Sequence, residues 1–79
     1  MLQVKIRKFD KGDLILIFPD VIADTQGKLL LSYQYRGEHG GCSPELLDEL
    51  PTPDDNDQEE VNALLQHYKK RYNVLLQLQ

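Results

Sequence analysis

The chain has 79 residues, of which 41% are hydrophobic and 28% charged, with a formal net charge of −4, two histidines and one cysteine. A chain of that length forms one small domain, residues 1–79, burying only about 60% of the surface its unfolded state exposes. The composition is that of a globular protein and excludes wholesale disorder.

No apolar run approaches the roughly 18–20 residues of a membrane span, and Lys5, Arg7 and Lys8 interrupt any secretory core at the start. A lone cysteine closes no internal disulfide, which fits a reducing compartment, so the expected setting is cytoplasmic and away from membranes. Charge is unevenly spread. Residues 1–36 carry six basic and four acidic groups, residues 37–68 carry nine acidic and no basic groups, and Lys69, Lys70 and Arg71 follow. That acidic block argues against general nucleic-acid binding, which shows a basic excess or stripe.

Taken in order, Met1 to Phe9 alternates, with Leu2, Val4 and Ile6 on one face and Gln3, Lys5 and Arg7 on the other, the pattern of a half-buried strand. Asp10-Lys11-Gly12-Asp13 reads as a turn into Leu14–Phe18, apolar on both faces and therefore central. Pro19 has no N–H for a ladder, so this second strand is expected to stop near Phe18. Val21 and Ile22 are expected to tuck beneath a connection that ends in the turn Asp24-Thr25-Gln26-Gly27. A third strand follows over Lys28 to Arg36, then a glycine-rich loop, Gly37-Glu38-His39-Gly40-Gly41-Cys42.

Ser43-Pro44-Glu45 has the order of a helix start, and Pro51 limits that helix to about two turns through Leu46, Leu47 and Leu50. Thr52-Pro53-Asp54-Asp55 repeats the signal, and Asp57 with Glu60 offers a further capping box. Val61, Leu64, Leu65, Tyr68 and Tyr72 then recur at helical spacing, ending on basic residues and Asn73, which can adopt the left-handed cap. Val74 to Gln79 alternates again, with Val74, Leu76 and Leu78 toward the core. The expected fold is α+β: a two-layer sandwich in the order β-β-β, short helix, α, β, with a mixed four-stranded sheet, strand order 3-2-1-4 favoured over 1-2-3-4 because it makes both hairpin strands internal, and one amphipathic helix on one face.

Phe18-Pro19-Asp20, the stretch Ser32-Tyr33-Gln34-Tyr35-Arg36-Gly37-Glu38-His39-Gly40, and the start at Thr52–Asp55 before a C-terminal strand together resemble a family of short bacterial proteins. That family is encoded among the genes of conjugative plasmids and other mobile elements. The resemblance covers most of the chain in order and implies a bacterial, mobile-element setting, but it brings no activity and no residue role. Where the family has a second histidine and a glutamine, this chain has Tyr35 and Glu38, which weakens a metal or catalytic reading of the loop.

His39 and Cys42 form an H-x-x-C pair, two potential metal ligands where zinc takes four, or three and a water. His67 sits on the helix and no second cysteine exists. The glycines match neither a dinucleotide fingerprint nor a P-loop. Asp54, Asp55 and Asp57 resemble the opening of a calcium loop, but its sixth position is Glu59 and its twelfth Leu65, instead of glycine and glutamate. No cofactor is expected. The sheet face away from the helix draws more weight: Lys5, Arg7, Leu30, Gln34, Arg36 and Leu75 gather polar side chains around aliphatics, as interfaces do.

The leading expectation is a non-enzymatic module that binds another protein, or itself as a homodimer, through that face. Two alternatives are a metal- or small-molecule-dependent activity at Gly37–Cys42 and an acidic surface that mimics nucleic acid to inhibit a host protein. RNA binding by the sheet is disfavoured, because Tyr33 and Tyr35 alternate toward the helix.

Overall fold

The computed structural model describes residues 2–34 and 38–79. Tyr35, Arg36 and Gly37, which carry parts of the expected strand, interface and loop, lie outside the described residues. Among those described, five strands form one mixed sheet: β1 (Leu2–Lys8), β2 (Leu14–Ile22), β3 (Leu30–Gln34), β4 (Glu38–Cys42) and β5 (Leu76–Leu78). A single helical turn, α1 (Leu46–Glu49), and the long helix α2 (Gln58–Tyr72) lie between β4 and β5.

The sheet order is β4-β3-β2-β1-β5. The four expected strands therefore keep the relative order 3-2-1-4, with β5 parallel to β1 and the other neighbours antiparallel. Two corrections follow. The supposed glycine loop is a fifth strand, and the third strand is shorter than expected, Leu30–Gln34. Poor intrinsic β-propensity in Glu38-His39-Gly40-Gly41-Cys42 is overridden by an unbroken ladder in which Leu30, Ser32 and Gln34 face Cys42, Gly40 and Glu38.

The second strand also runs on past Pro19 to Ile22. Its register against β3 shifts between Phe18, which faces Leu31, and Ile22, which faces Leu30, and the proline falls in that bulge. A bulge asks no ladder hydrogen bond of the missing N–H. Beyond it, Asp24 Oδ1 accepts from the backbone N–H groups of Lys28 and Leu29 at 2.8 and 2.9 Å, and Gly27 takes φ 71° to close the turn. Val21 packs on the core as expected, whereas Ile22 is 53% exposed.

Because β2 is apolar on both faces, the protein has two cores. On one side Val4, Ile6, Leu14, Leu16, Phe18 and Tyr33 pack against Val61, Leu64 and Tyr68 of α2. On the other, Ile15, Ile17, Leu30 and Cys42 are buried beneath Phe9, Leu46 and Leu47. The expected two-layer sandwich with one open face is thus corrected: α1 roofs part of the second face. Burying each aliphatic side chain of β2 contributes roughly 1.5–3 kcal/mol relative to exposure, which is why a four-residue helix is retained there. Val74 and Leu76 join the main core as expected, but Leu78 is 47% exposed, and Leu29, just before β3, is 37% exposed.

The entry to α2 is built on Asp57. Asp54 Oδ1 accepts from the Asn56 N–H at 2.9 Å, and Asp57 Oδ2 accepts from the Asp54 N–H at 2.9 Å, a capping box around the 3₁₀ turn Asp55–Asp57. The box therefore lies one turn earlier than the expected Asp57–Glu60 pair. Asp57 is also bound by Lys8 Nζ, at 3.0 and 3.1 Å to its two oxygens, which ties the helix start to the end of β1. The exit is the left-handed cap at Asn73, φ 53°, whose N–H donates to the Lys69 carbonyl at 2.8 Å.

Leu64 is 1% exposed and Glu59 lies on the wet first turn. Leu64→Asp places an unpaired charge in the main core and is expected to cost about 4 kcal/mol or more, enough to unfold a domain this small. Glu59→Ala should change stability by no more than about 0.5 kcal/mol. Far-ultraviolet circular dichroism with thermal melts checks both, and equal loss in the two variants would mean that α2 buries a different face.

The Asp54 N–H and then the Lys8 ammonium hold the Asp57 carboxyl below the usual aspartate range, and the hydrogen bond to Asp57 raises Lys8. With a depressed folded pKa, Asp57 contributes fully above its unfolded value and loses that contribution as pH falls through the folded one. Lys8, raised, contributes fully below its unfolded value and fails only as strongly alkaline pH passes its folded one. Asp57→Ala should therefore melt at a lower temperature than wild type at neutral pH, with the two curves converging in acid. Parallel curves down to acid pH would show that the carboxylate does not carry this stability.

Candidate functional site

Strand periodicity decides the fate of the H-x-x-C pair. Residues three apart on a strand point to opposite faces. His39 faces α2, where its Nε2 is hydrogen-bonded to the Tyr68 hydroxyl at 2.9 Å, and Cys42 is buried in the second core. The two do not converge on one ion. No group of three or more histidine, cysteine, aspartate or glutamate side chains arranged to hold a metal occurs among the described residues.

Around His39, the sheet's end and the last turns of α2 form an aromatic cluster. The His39 ring lies tilted at 4.9 Å from that of Tyr72 and 5.0 Å from that of Tyr33, and Tyr33 meets Tyr68 edge-on at 4.8 Å. Arg71 lies over the Tyr72 ring at 5.7 Å. The Tyr33 hydroxyl is buried beside Tyr72 and Arg71. Burial pushes the Tyr33 and Tyr68 hydroxyls above the ordinary tyrosine pKa, so both stay neutral. The sequence marked Tyr68 and Tyr72 as helix-core residues. That they would meet His39 follows only from β4 being a strand.

On the opposite face, β4 borders a pocket of about 340 Å³ with a mixed lining. Phe9, Ile15 and Leu46 line it together with Ser32, Gln34 and β4 residues that include Gly40 and Cys42. The Ser32 hydroxyl in that lining donates to the Gly40 carbonyl at 3.0 Å. Burial raises the Cys42 thiol, partly offset by a hydrogen bond with Ser32, which makes it a packing group instead of a thiolate nucleophile.

The expected interaction face is divided by α1. Leu30 is only 7% exposed, packed in the second core, so it is not part of an open strip, and Leu30→Lys would damage the monomer itself. Arg7 is a fastener: its Nε donates to the Leu47 carbonyl and its Nη1 to the Ile6 carbonyl, each at 3.0 Å, pinning α1 to β1. Gln34 lines the pocket mouth, and Arg36 lies outside the described residues. Lys5 shares its face with Ile17, its neighbour across the β1–β2 ladder, at the margin of the second core. Leu75 is 57% exposed beyond the other edge. Between them Gln3 donates to Gln77 at 3.0 Å and accepts from Gln79 at 2.6 Å, a glutamine ladder that leaves this half of the face polar.

Cys42 should react with a neutral thiol reagent about a hundredfold more slowly in the native protein than in denaturant, since reaction needs local opening and a thiolate. Absorbance from a disulfide reagent measures it, and equal rates would place the thiol at the surface. Stoichiometric zinc lost on both His39→Ala and Cys42→Ala would likewise mean that β4 does not hold these residues on opposite faces.

No helix among the described residues is long and apolar enough to cross a membrane. No family model, no curated protein and no solved structure matches this chain.

Proposed function

We propose that the chain is a small non-enzymatic interaction module that binds another protein, or a second copy of itself, through the parts of its sheet that α1 and α2 leave uncovered. The observation that carries this reading is the sheet's outer edge. β4 is paired with β3 along all five residues, and its other side meets no strand among the described residues. Natural edges are blunted by short strands, lysines, prolines or bulges. At the far edge β5 is only three residues long, whereas His39–Cys42 carries none of these protections. The polar Lys5, Gln3 and Gln77 face next to exposed Leu75 is a second uncovered area, suited to the rim of such a contact. A mobile-element setting, implied by the sequence resemblance, fits a small protein that acts by engaging a host or plasmid component.

Immobilised chain should retain one partner from the native host, in proportion to bait, and free chain should compete it away. The purified partner should then bind saturably. A chain that retains no competed partner and stays monomeric by sedimentation equilibrium well above micromolar concentration would overturn the proposal.

A further inference from the structure

The four described glycines are not equivalent. Gly12 and Gly27 adopt φ 96° and 71°, where a side chain would be strained. Gly41 is crowded, since a Cβ there would lie 2.9 Å from Leu29 Cδ1 and 3.3 Å from Leu29 Cβ, so the Leu29 side chain would have to shift. Gly40 has neither reason: its φ is outside the left-handed range, and a Cβ would meet only Ser32 Oγ at an ordinary 3.8 Å. Glycine in a strand interior costs stability and packs nothing. What its missing side chain leaves open is the sheet-edge wall of the 340 Å³ pocket.

Deepening the interaction-module reading, and resting on it, we propose that β4 accepts an extended segment of a partner protein as a sixth strand, and that the partner residue opposite Gly40 inserts a large apolar side chain into this pocket. Across the sheet, Lys5, Ile17, Ser32 and Gly40 form one row on the second face. A residue added opposite Gly40 continues that row, so its side chain falls on the pocket's face, toward Phe9, Ile15 and Leu46. Its two neighbours in the added strand point to the other face, beside the His39 and Tyr72 rings. Main-chain hydrogen bonds supply affinity in such strand addition, and the pocket for an alternate side chain supplies selectivity.

A second copy of this chain is the poorer occupant. Antiparallel pairing of β4 with itself about its central residue sets Gly40 against Gly40, which puts no side chain into either pocket. A partner strand with leucine or an aromatic residue at that position fills it.

The probes are blocked five-residue peptides, Thr-Val-X-Val-Thr, with X as phenylalanine, leucine or glycine, titrated into nitrogen-15-labelled protein. The phenylalanine and leucine peptides should shift the amides of β4 and slow their hydrogen exchange. The glycine peptide should bind about ten- to a hundredfold more weakly. Gly40→Ala should melt no lower than wild type, yet lose most of the preference for phenylalanine over glycine. The strand proposal is overturned if all three peptides bind alike, if shifts fall outside β4 and the pocket, if Gly40→Ala keeps the full preference, or if wild type alone is a dimer with β4 amides already protected. Peptide failure while a purified host partner shifts the Lys5 and Leu75 face would sink strand addition alone and leave the module reading standing. Failure of peptides and partners together would sink both.

Discussion

The fold depends on a single demand made by β2. From Leu14 to Phe18 five consecutive residues are buried, and on a strand such a run faces both ways at once. Leu14, Leu16 and Phe18 are met by α2, which supplies Val61, Leu64 and Tyr68 at helical spacing. Ile15 and Ile17 need cover from the other side, and the chain finds it in a one-turn helix with Leu46 and Leu47 and in Cys42 of β4. A turn that short has little stability of its own. It is held by what it covers and by Arg7 reaching the Leu47 carbonyl, while the Lys8 N–H donates to the Pro51 carbonyl at 3.0 Å just beyond it.

The end of β1 thus organises both layers. Arg7 secures α1 on one face, and Lys8 secures the start of α2 by its ion pair with Asp57. Alternation makes this possible, since adjacent residues on a strand serve opposite sides of the sheet. An ion pair of this kind, partly open to water, adds little by itself. Here the same carboxylate also closes the capping box, so orienting Asp57 for the helix orients it for Lys8 as well.

Much of this was legible in the sequence because it rests on periodicity. The alternation in β1, the double-sided run in β2, the helical spacing of α2 and the Asn73 cap are local signals, and with the need to keep both hairpin strands internal they favour the observed relative order of four strands over 1-2-3-4. What escaped was non-local. Nothing in Glu38-His39-Gly40-Gly41-Cys42 favours a strand, and its pairing comes from the exposed edge of β3. Pro19 ends a strand by its own chemistry, but a bulge absorbed it. The first of these led to the misreading of the candidate site. A loop would have allowed His39 and Cys42 to converge, and four strands would have left Leu30 on an open face, whereas the fifth strand separates the pair and helps bury the leucine.

The edge that results is unusually well fastened for a strand rich in glycine. Alternate residues of β4 are fixed on both faces: His39 by Tyr68 and the surrounding rings, Gly40 by the Ser32 hydroxyl, Cys42 by the second core. A frayed edge would have to be ordered by its partner, and that entropy would be subtracted from the affinity, at about 1–2 kcal/mol for each backbone residue fixed. An edge already held in register by β3 asks only the incoming segment to become ordered. The aromatic cluster and the small second core therefore keep five backbone units extended at the margin of the sheet, which is what the proposed strand addition requires.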